Sequence, residues 1–335
     1  MIIKNIKLVN FRNHSEYLLE CKDSTSLILG ENGCGKTSVL EAIYILTRGK
    51  SFRAVDAEIL KRGEEFYRIE MEFLNGEKSV ATYDGKDKTF VVLGKKSKRL
   101  PKKSKYPVVL FLPSDLNLVS SSPAHKRDYF DRIYSQFNER YNDSLLRYEK
   151  ALKQRNELLK SDYLTSDAVF SWNVLLAKYG SEIAKFRRQF TDEINNKITD
   201  KYRSIAENGD EVWIELNTQV ECDENYYLKM LEANFERDRI LGHTSFGVHR
   251  DEYVFKFNQK DADGSASRGE VRSIVLALKF IEAEMVYSKL GLNPIVLLDD
   301  VFSELDESRR KCLVRNFRNN QVIITSVEGF EDISS

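Results

Sequence analysis

The segment Gly30–Ser38 constrains this chain more than any other, because it matches the pattern G-x-x-x-x-G-K-[ST]. A hydrophobic run, Ser26–Leu29, precedes it and predicts a buried strand, and helix-forming residues follow it. A strand, a glycine-rich loop and a helix in this order let backbone N–H groups and the helix N-terminus surround a phosphate. We expect Lys36 to reach the β- and γ-phosphates of a nucleotide and Thr37 to ligate Mg²⁺. The alternative is a glycine-rich turn that fits the pattern by chance.

A second candidate segment lies near the C-terminus, where the apolar run Pro294–Leu298 ends in Asp299 and Asp300. A strand that is buried on both faces places its first polar groups at its carboxyl end. We expect Asp299 to hold Mg²⁺ through water and Asp300 to orient or deprotonate the attacking water. Taken alone, the segment fits an ordinary strand end equally well; its pairing with Gly30–Ser38 favours the functional interpretation.

The composition bounds what surrounds this site. The 335 residues are 41% hydrophobic and 31% charged, which is typical of a globular chain with two lobes. Lys+Arg and Asp+Glu balance at 52 each, so any contact with nucleic acid must come from a local patch. The four cysteines lack metal-ligand spacing, and no apolar run is long enough to span a membrane, so we expect a cytoplasmic protein with reduced thiols.

The first third of the chain predicts short strands. An opening strand over Ile2–Phe11 leads to a polar corner, Arg12–Ser15, which either lies against the nucleotide or is a solvated turn. After an exposed basic loop at Thr47–Arg53, alternating segments separated by Asn-Gly and Asp-Gly turns predict an antiparallel meander. Its strands are predicted at Tyr67–Phe73, Ser79–Tyr83 and Thr89–Leu93.

A basic run, Gly94–Lys105, follows the meander, and lysine or arginine fills seven of its twelve positions. Such runs are usually solvated loops, but this one is the strongest basic patch of a neutral chain. We therefore weigh a contact with the phosphate backbone of DNA equally with the solvated loop. The candidate DNA-binding residues are Lys95, Lys96, Lys98, Arg99, Lys102 and Lys103.

Long amphipathic helices follow the strand predicted at Pro107–Pro113. Apolar residues recur at steps of three and four from Phe170 to Tyr202, and a weaker stripe covers Tyr141–Leu159. These stripes predict a compact helical lobe packed through its apolar faces.

A second polar turn at a helix N-terminus, Ser267–Glu270, precedes Asp299. Its serine hydroxyl and backbone amides predict another anion site. One nucleotide does not need two helix N-termini so far apart in sequence, unless the second meets the phosphates of another subunit. ATP-binding-cassette (ABC) heads are arranged in that way.

Over essentially its whole length, the chain resembles the RecF family, bacterial recombination mediators related to the ATPase heads of SMC proteins. The segments that carry the resemblance are Asn10–His14, Gly30–Ser38, Val109–Leu116, Ser122–Arg127, Gly247–Glu252, Ser267–Glu270, Leu297–Asp306 and Val322–Thr325. Two residues depart from the family pattern: Glu270 stands where glutamine is usual, and Val248 replaces a proline. The first departure adds a negative charge near a phosphate site, which predicts weaker ATP-dependent dimerisation.

The resemblance implies an α/β fold, with an ABC-type P-loop ATPase lobe from residues 1–112 and 242–335 that combines a mixed sheet with the antiparallel meander. Residues 113–241 would form an inserted, mainly helical lobe. It also implies ATP and Mg²⁺ as cofactors, and two heads that sandwich two ATP molecules. The implied cofactor-binding residues are Arg12, Asn13, Gly30, Glu31, Asn32, Gly33, Cys34, Gly35, Lys36, Thr37, Ser38, Ser267, Arg268, Gly269, Glu270 and Thr325.

In the implied sandwich, Lys36, Thr37 and Asp299 of one subunit and Ser267 and Gly269 of the other contact each ATP, and hydrolysis opens the clamp. Implied partners are double-stranded, gapped or junction DNA, RecR and RecO, and indirectly RecA, which the family loads onto gaps. A transporter cassette fits poorly, because Lys36 and Asp299 are too far apart, and a structural SMC subunit would need long heptad repeats. A nucleotide-gated DNA-binding adaptor with negligible hydrolysis remains as the alternative.

Overall fold

Two kinds of sheet, one antiparallel and one parallel, build the first of the two units into which the chain folds. The computed structural model describes residues 2–161 and 165–329. Unit 1 comprises Met1–Asp115 and Glu282–Ser335, and unit 2 comprises Leu116–Ile281.

The antiparallel sheet of unit 1 has the strand order β2-β1-β4-β5-β6-β7. Its strands are β1 Ile3–Phe11, β2 His14–Glu20, β4 Tyr67–Phe73, β5 Lys78–Tyr83, β6 Lys88–Val92 and β7 Lys95–Ser97. Alternate residues along β4 are buried, which is the period of a strand with one face on the core. The predicted meander is confirmed. The basic run was expected to be a loop throughout, but its first residues extend the sheet as the edge strand β7.

The parallel sheet of unit 1 has the order β3-β13-β12-β8, with β3 Thr25–Leu29, β8 Val108–Phe111, β12 Ile295–Asp299 and β13 Val322–Ser326. All its pairings are parallel, so the carboxyl ends of its strands meet at one edge. The mixed architecture of the predicted lobe thus consists of two separate sheets.

Helix α1, Lys36–Arg48, starts at that edge and packs against strands of both sheets. Its residues Val39–Leu46 are all buried, because the helix is enclosed by the core of unit 1. The basic loop was predicted to begin at Thr47, but Thr47 and Arg48 form the end of α1. The helix is capped by Gly49, which adopts the left-handed conformation. Unit 1 also contains α2 Asp56–Ile59 and α10 Glu307–Asn316.

Unit 2 is mainly helical, as predicted. Its helices are α3 Pro123–Phe137, α4 Glu139–Leu159, α5 Ser166–Ala206, α6 Glu224–Ala233, α7 Phe235–Leu241 and α8 Ala262–Ser265, and α9 Arg268–Leu290 contains the boundary between the units. A sheet of order β11-β10-β9 completes it, with β9 Val212–Asn217, β10 Glu252–Phe257 and β11 Lys260–Asp261. Among the residues described, no helix combines the length and the apolar character needed to cross a membrane.

Residues 242–281 lie in unit 2, whereas the ATPase lobe was predicted to resume at residue 242. Strand β10 pairs with β9 of the helical unit. The buried guanidinium of Arg187 on α5 donates to Val248 O (2.6 Å) and to Asp251 Oδ2 (2.8 Å). A buried charge is costly unless it is paired, so these bonds hold the segment to α5. The predicted upstream boundary, at residue 112, lies close to the observed one at Asp115.

Candidate nucleotide-binding site

The loop between β3 and α1 has the backbone conformation of a phosphate cradle. Gly33 and Gly35 adopt positive φ values of 85° and 102°, which strain any residue with a side chain. A Cβ atom on Gly35 would also lie 2.4 Å from Nε2 of His14. Because α1 begins directly after Gly35, the N–H groups at its start have no carbonyls of a preceding helical turn to bond, and that of Ser38 donates to Gly35 O at 2.9 Å.

The side chain of Lys36 is almost fully buried inside this loop. Its Nζ donates hydrogen bonds to the carbonyl oxygens of Gly30 (2.8 Å) and Glu31 (3.1 Å). The same ammonium lies 3.7 Å from Oδ2 of Asp300. The loop thus holds a positive charge where the sequence predicts a phosphate contact.

Thr37 and Asp299, which are 262 positions apart in sequence, meet directly. The hydroxyl of Thr37 donates to both carboxylate oxygens of Asp299, at 2.8 and 3.0 Å, and Thr325 donates to Oδ1 at 2.9 Å. Burial raises the pKa of Asp299, and the hydrogen bonds from the two threonines offset only part of this effect. The parallel sheet explains the meeting, because Asp299 and Thr325 are register partners on β12 and β13, next to β3.

Asp300 follows the strand in a strained, left-handed conformation, with φ of 49°. Its backbone N–H donates to Oγ1 of Thr325 at 2.9 Å, which fixes the turn. Its Oδ1 atom is buried without a hydrogen-bond partner among the described residues. A buried oxygen without a partner is expected where a bound water or ligand supplies one.

A cavity of about 380 Å³ lies against these residues in unit 1. It is lined by Arg12, Asn13, Gly33, Gly35, Lys36, Thr37, Ser38, Arg53, Ala54, Glu58 and Asp300. Among the predicted cofactor-binding residues, Gly30, Glu31, Asn32 and Cys34 belong to the same loop without lining the cavity, and Thr325 lies behind Asp299.

The polar corner after β1 lies against the phosphate loop. Asn13 Nδ2 donates to Gly33 O at 3.2 Å, and His14 Nε2 lies 3.1 Å from Gly35 O. Between the two interpretations of Arg12–Ser15, the structure favours the one next to the cradle over a solvated turn. That Arg12 and Asn13 contact the nucleotide stays a prediction.

Sequence reasoning missed a second group of residues at the cavity: Arg53, Ala54 and Glu58 in the lining, and the buried Glu41 behind them. Arg53 was assigned to an exposed loop. The signal that could have found the group is Glu41 itself, a carboxylate inside the apolar run of α1, since a buried charge requires partners.

The second predicted anion site, Ser267–Glu270, lies in unit 2 at the start of α9. Ser267 N donates to Oε2 of Glu270 at 2.6 Å, and Glu270 N donates to Oγ of Ser267 at 3.3 Å. This reciprocal pair is a capping box, so the acidic departure from the family pattern has a local structural role. Ser267 and Arg268 are exposed, and Gly269 and Glu270 are partly exposed.

Two of the candidate DNA-binding residues, Lys95 and Lys96, lie on the edge strand β7 of the antiparallel sheet in unit 1, and the other four follow that strand. Lys95, Lys96, Lys98, Arg99, Lys102 and Lys103 are exposed, and Lys98 is paired with Asp87 at 3.2 Å. An edge strand rich in lysine also prevents pairing with other sheets, so the geometry fits both a DNA contact and a protected edge.

The donor set at this site fits Mg²⁺ and a triphosphate. The hydroxyl of Thr37 and the carboxylate of Asp299 are hard oxygen ligands of the kind that Mg²⁺ prefers. Lys36 and the first turn of α1 supply the positive charge and the N–H donors that phosphates require.

Comparison with known proteins identifies relatives over the whole chain. The family model of the RecF/RecN/SMC N terminal domain matches residues 2–330. The DNA replication and repair protein RecF of Clostridioides difficile (strain 630) is 33% identical over 98% of this chain and 92% of its own length. The corresponding protein of Clostridium novyi (strain NT) is 33% identical over 99% of this chain and 94% of its own length. A solved structure of the recombination mediator protein RecF bound to ATP superposes with a TM-score of 0.86 at 29% identity, covering 98% of this chain and 93% of that one.

Proposed function

The chain belongs to the RecF family, within the wider RecF/RecN/SMC N-terminal domain family, and we propose that it is an ATP-dependent DNA-binding protein of DNA replication and repair. The observation that carries the proposal is the meeting of Thr37 with Asp299, beside Lys36, at the carboxyl edge of the parallel sheet. ATP bound to the related RecF structure supports the assignment of the cavity to a nucleotide.

In this proposal, Lys36 and the N–H groups of α1 bind the phosphates, while Thr37 and Asp299 hold Mg²⁺. Bound Mg²⁺ supplies positive charge against the phosphate oxygens. Thr325 fixes the carboxylate of Asp299 through its hydroxyl, which limits the rotamers of that ligand.

Asp300 is proposed to orient the attacking water or to accept its proton. Its buried Oδ1 has no competing partner among the described residues, and the strained turn fixes the side chain at the cavity. A positioned general base contributes a factor on the order of 10²–10⁴ to the rate of hydrolysis. We propose that hydrolysis is slow, so that it sets the time at which the protein is released from DNA.

Two such heads are proposed to close over two ATP molecules, with Ser267 and Gly269 of one subunit meeting the nucleotide held by Lys36 of the other. The exposure of Ser267 at the start of α9 supports a contact in trans. The closed dimer would act as a clamp on double-stranded or gapped DNA, with the basic residues around β7 contacting its backbone. The RecFOR pathway named for the related RecF structure supports RecR and RecO as proposed partners, and loading of RecA is proposed from the family resemblance.

The proposal is tested by fluorescence anisotropy of a labelled DNA duplex, with ATP and Mg²⁺ and without nucleotide. We expect DNA binding to tighten at least tenfold with ATP and to weaken with added salt. Equal affinity with and without nucleotide would refute the ATP dependence.

A nucleotide-gated adaptor with negligible hydrolysis is the second candidate. It would show the same ATP-dependent DNA binding but would not turn ATP over. Single-turnover hydrolysis, measured with and without DNA, distinguishes the two: product formation that DNA accelerates supports the clamp that hydrolysis opens, and bound ATP that stays intact supports the adaptor.

A further inference from the structure

Glu41 lies on α1, one turn after Thr37, and its side chain is completely inaccessible to solvent. The residues around it in sequence, Leu40 and Ala42, are part of the hydrophobic core. A carboxylate in such a place destabilises a fold unless hydrogen bonds and opposite charges compensate its lost hydration.

Two arginines and a serine supply this compensation. Arg12 donates from Nε (2.9 Å) and Nη2 (2.7 Å), and Arg53 donates from Nε (3.1 Å) and Nη2 (2.9 Å). Ser51 donates from Oγ at 2.6 Å. Burial alone would raise the pKa of Glu41, but these hydrogen bonds outweigh it and hold the pKa below its ordinary value. The cluster therefore carries one negative and two positive charges.

Both arginines line the nucleotide cavity, together with Lys36 and Thr37. Arg12 is about one fifth exposed and Arg53 about one third, so their guanidinium groups are accessible from the cavity. Nη1 of Arg12 also donates to Glu58 O at 2.9 Å. For Nη1 of Arg53, no partner is present among the described residues, so this group can donate to a ligand.

Glu41 also orders the backbone that carries Arg53. The hydroxyl of Ser51, which donates to Glu41, accepts hydrogen bonds from the N–H groups of Arg53 (3.0 Å) and Ala54 (3.1 Å). A free arginine loses much rotamer entropy when it binds a phosphate, whereas one that is already held loses little. The cluster fixes both the side chain of Arg53 and the segment from which it projects.

We propose that Glu41 is a positioning residue for nucleotide binding, which acts through Arg12 and Arg53 by holding their guanidinium groups as one cationic wall of the cavity. The ligand of this wall is the polyphosphate of a nucleoside triphosphate. This proposal rests on the proposed ATP binding. It adds the part played in that binding by two residues outside the phosphate loop, Arg12 before it and Arg53 after it.

The direction in which one substitution changes the affinity for ATP distinguishes positioning from a simple effect of charge. Glu41→Gln removes a negative charge beside the cavity, so electrostatics alone predicts tighter binding of ATP. Loss of positioning predicts weaker binding, because the amide keeps only one acceptor oxygen and places an NH2 donor among the donors of Arg12, Arg53 and Ser51. Glu58→Gln is the comparison for charge alone, since it removes the same charge from an exposed residue of the cavity lining.

Isothermal calorimetry with ATP and Mg²⁺ tests the proposal, alongside thermal unfolding of each variant. We expect Glu41→Gln to bind about tenfold more weakly and Arg53→Gln to lose a similar factor, the usual effect of one charge-assisted hydrogen bond. Glu58→Gln should bind ATP more tightly than the unchanged protein, because it removes a negative charge from the cavity lining and leaves the contacts of Glu41 in place. The double variant Glu41→Gln/Arg53→Gln should lose clearly less than the product of the two single losses, because Glu41 acts through Arg53.

The proposal is overturned if Glu41→Gln binds ATP as tightly as the unchanged protein or more tightly. It is also overturned if the loss of ATP affinity in the double variant equals the product of the two single losses. If Glu41→Gln does not fold, Arg53→Gln and Ser51→Ala decide, since both change partly exposed positions; ATP affinities equal to that of the unchanged protein would then refute it. Failure of the unchanged protein to bind ATP would refute the proposed function itself, which is a separate outcome.

Discussion

Asp300→Asn replaces the proposed general base by an amide of almost the same size. The oxygen Oδ1 loses no hydrogen bond within the described residues, and the backbone bond to Thr325 does not involve the side chain. Asparagine tolerates the left-handed conformation at least as well as aspartate. We therefore expect the free energy of unfolding to change by less than about 1 kcal/mol.

The effect on hydrolysis should be much larger. Loss of a positioned general base predicts a hydrolysis rate lower by a factor on the order of 10²–10⁴. The affinity for ATP with Mg²⁺ should stay or rise, because Asp299 is the proposed metal ligand and the variant removes a negative charge 3.7 Å from the ammonium of Lys36. The dimer on DNA should consequently persist longer.

Three quantities are measured on this variant: the rate of single-turnover hydrolysis, the Mg²⁺-dependent affinity for ATP and the rate of dissociation from DNA. Asp299→Asn is the control, and it should lose the Mg²⁺-dependent affinity. If Asp300→Asn loses that affinity, Asp300 is a metal ligand and the roles of the two acids are assigned incorrectly. An unchanged hydrolysis rate would show that Asp300 has neither role.

Three other predictions concern separate parts of the molecule. Lys36→Ala should abolish ATP binding, and with it ATP-dependent DNA affinity, because its ammonium is proposed as the main charge that offsets the phosphates; undiminished heat of binding in calorimetry would exclude the cradle. Ser267→Arg should leave ATP binding by the monomer intact and block dimerisation; loss of ATP binding by the monomer would place Ser267 at the nucleotide of its own subunit. Burial lowers the pKa of His249 to about 4, whereas the unfolded side chain titrates near 6.5, so protonation favours unfolding as the pH falls. Unit 2 should be about 2 kcal/mol less stable at pH 5 than at pH 7.5, and urea unfolding of His249→Gln should show a weaker pH dependence.

The phosphate loop and the acidic strand end could be predicted because local sequence determines them. The backbone of the loop requires positive φ values at Gly33 and Gly35, and an apolar run that ends in Asp299 indicates a strand of a parallel sheet. The meander was predictable for the same reason, since alternation and turn residues act over a few positions. The family resemblance then supplied the connection between segments far apart in sequence.

The cluster around Glu41 and the unit boundary depend on tertiary contacts. Arg53 looks like any exposed basic residue until the fold brings it to a carboxylate on α1. The segment after residue 242 joins the helical unit through Arg187 and the pairing of β10 with β9, and neither contact has a local sequence signal. Strand β7 was missed because its lysines match the composition of a loop, although backbone pairing with β6 decides its conformation.

Sedimentation velocity tests the central claim most directly, since the proposed mechanism requires a dimer that forms only with bound nucleotide. The chain is centrifuged with ATP and Mg²⁺ and without nucleotide, at a concentration where the unliganded protein is monomeric, and calorimetry establishes that ATP is bound. We predict a shift from monomer to dimer with ATP and Mg²⁺, and no shift for Ser267→Arg. A sedimentation coefficient that stays monomeric with ATP bound would contradict the account.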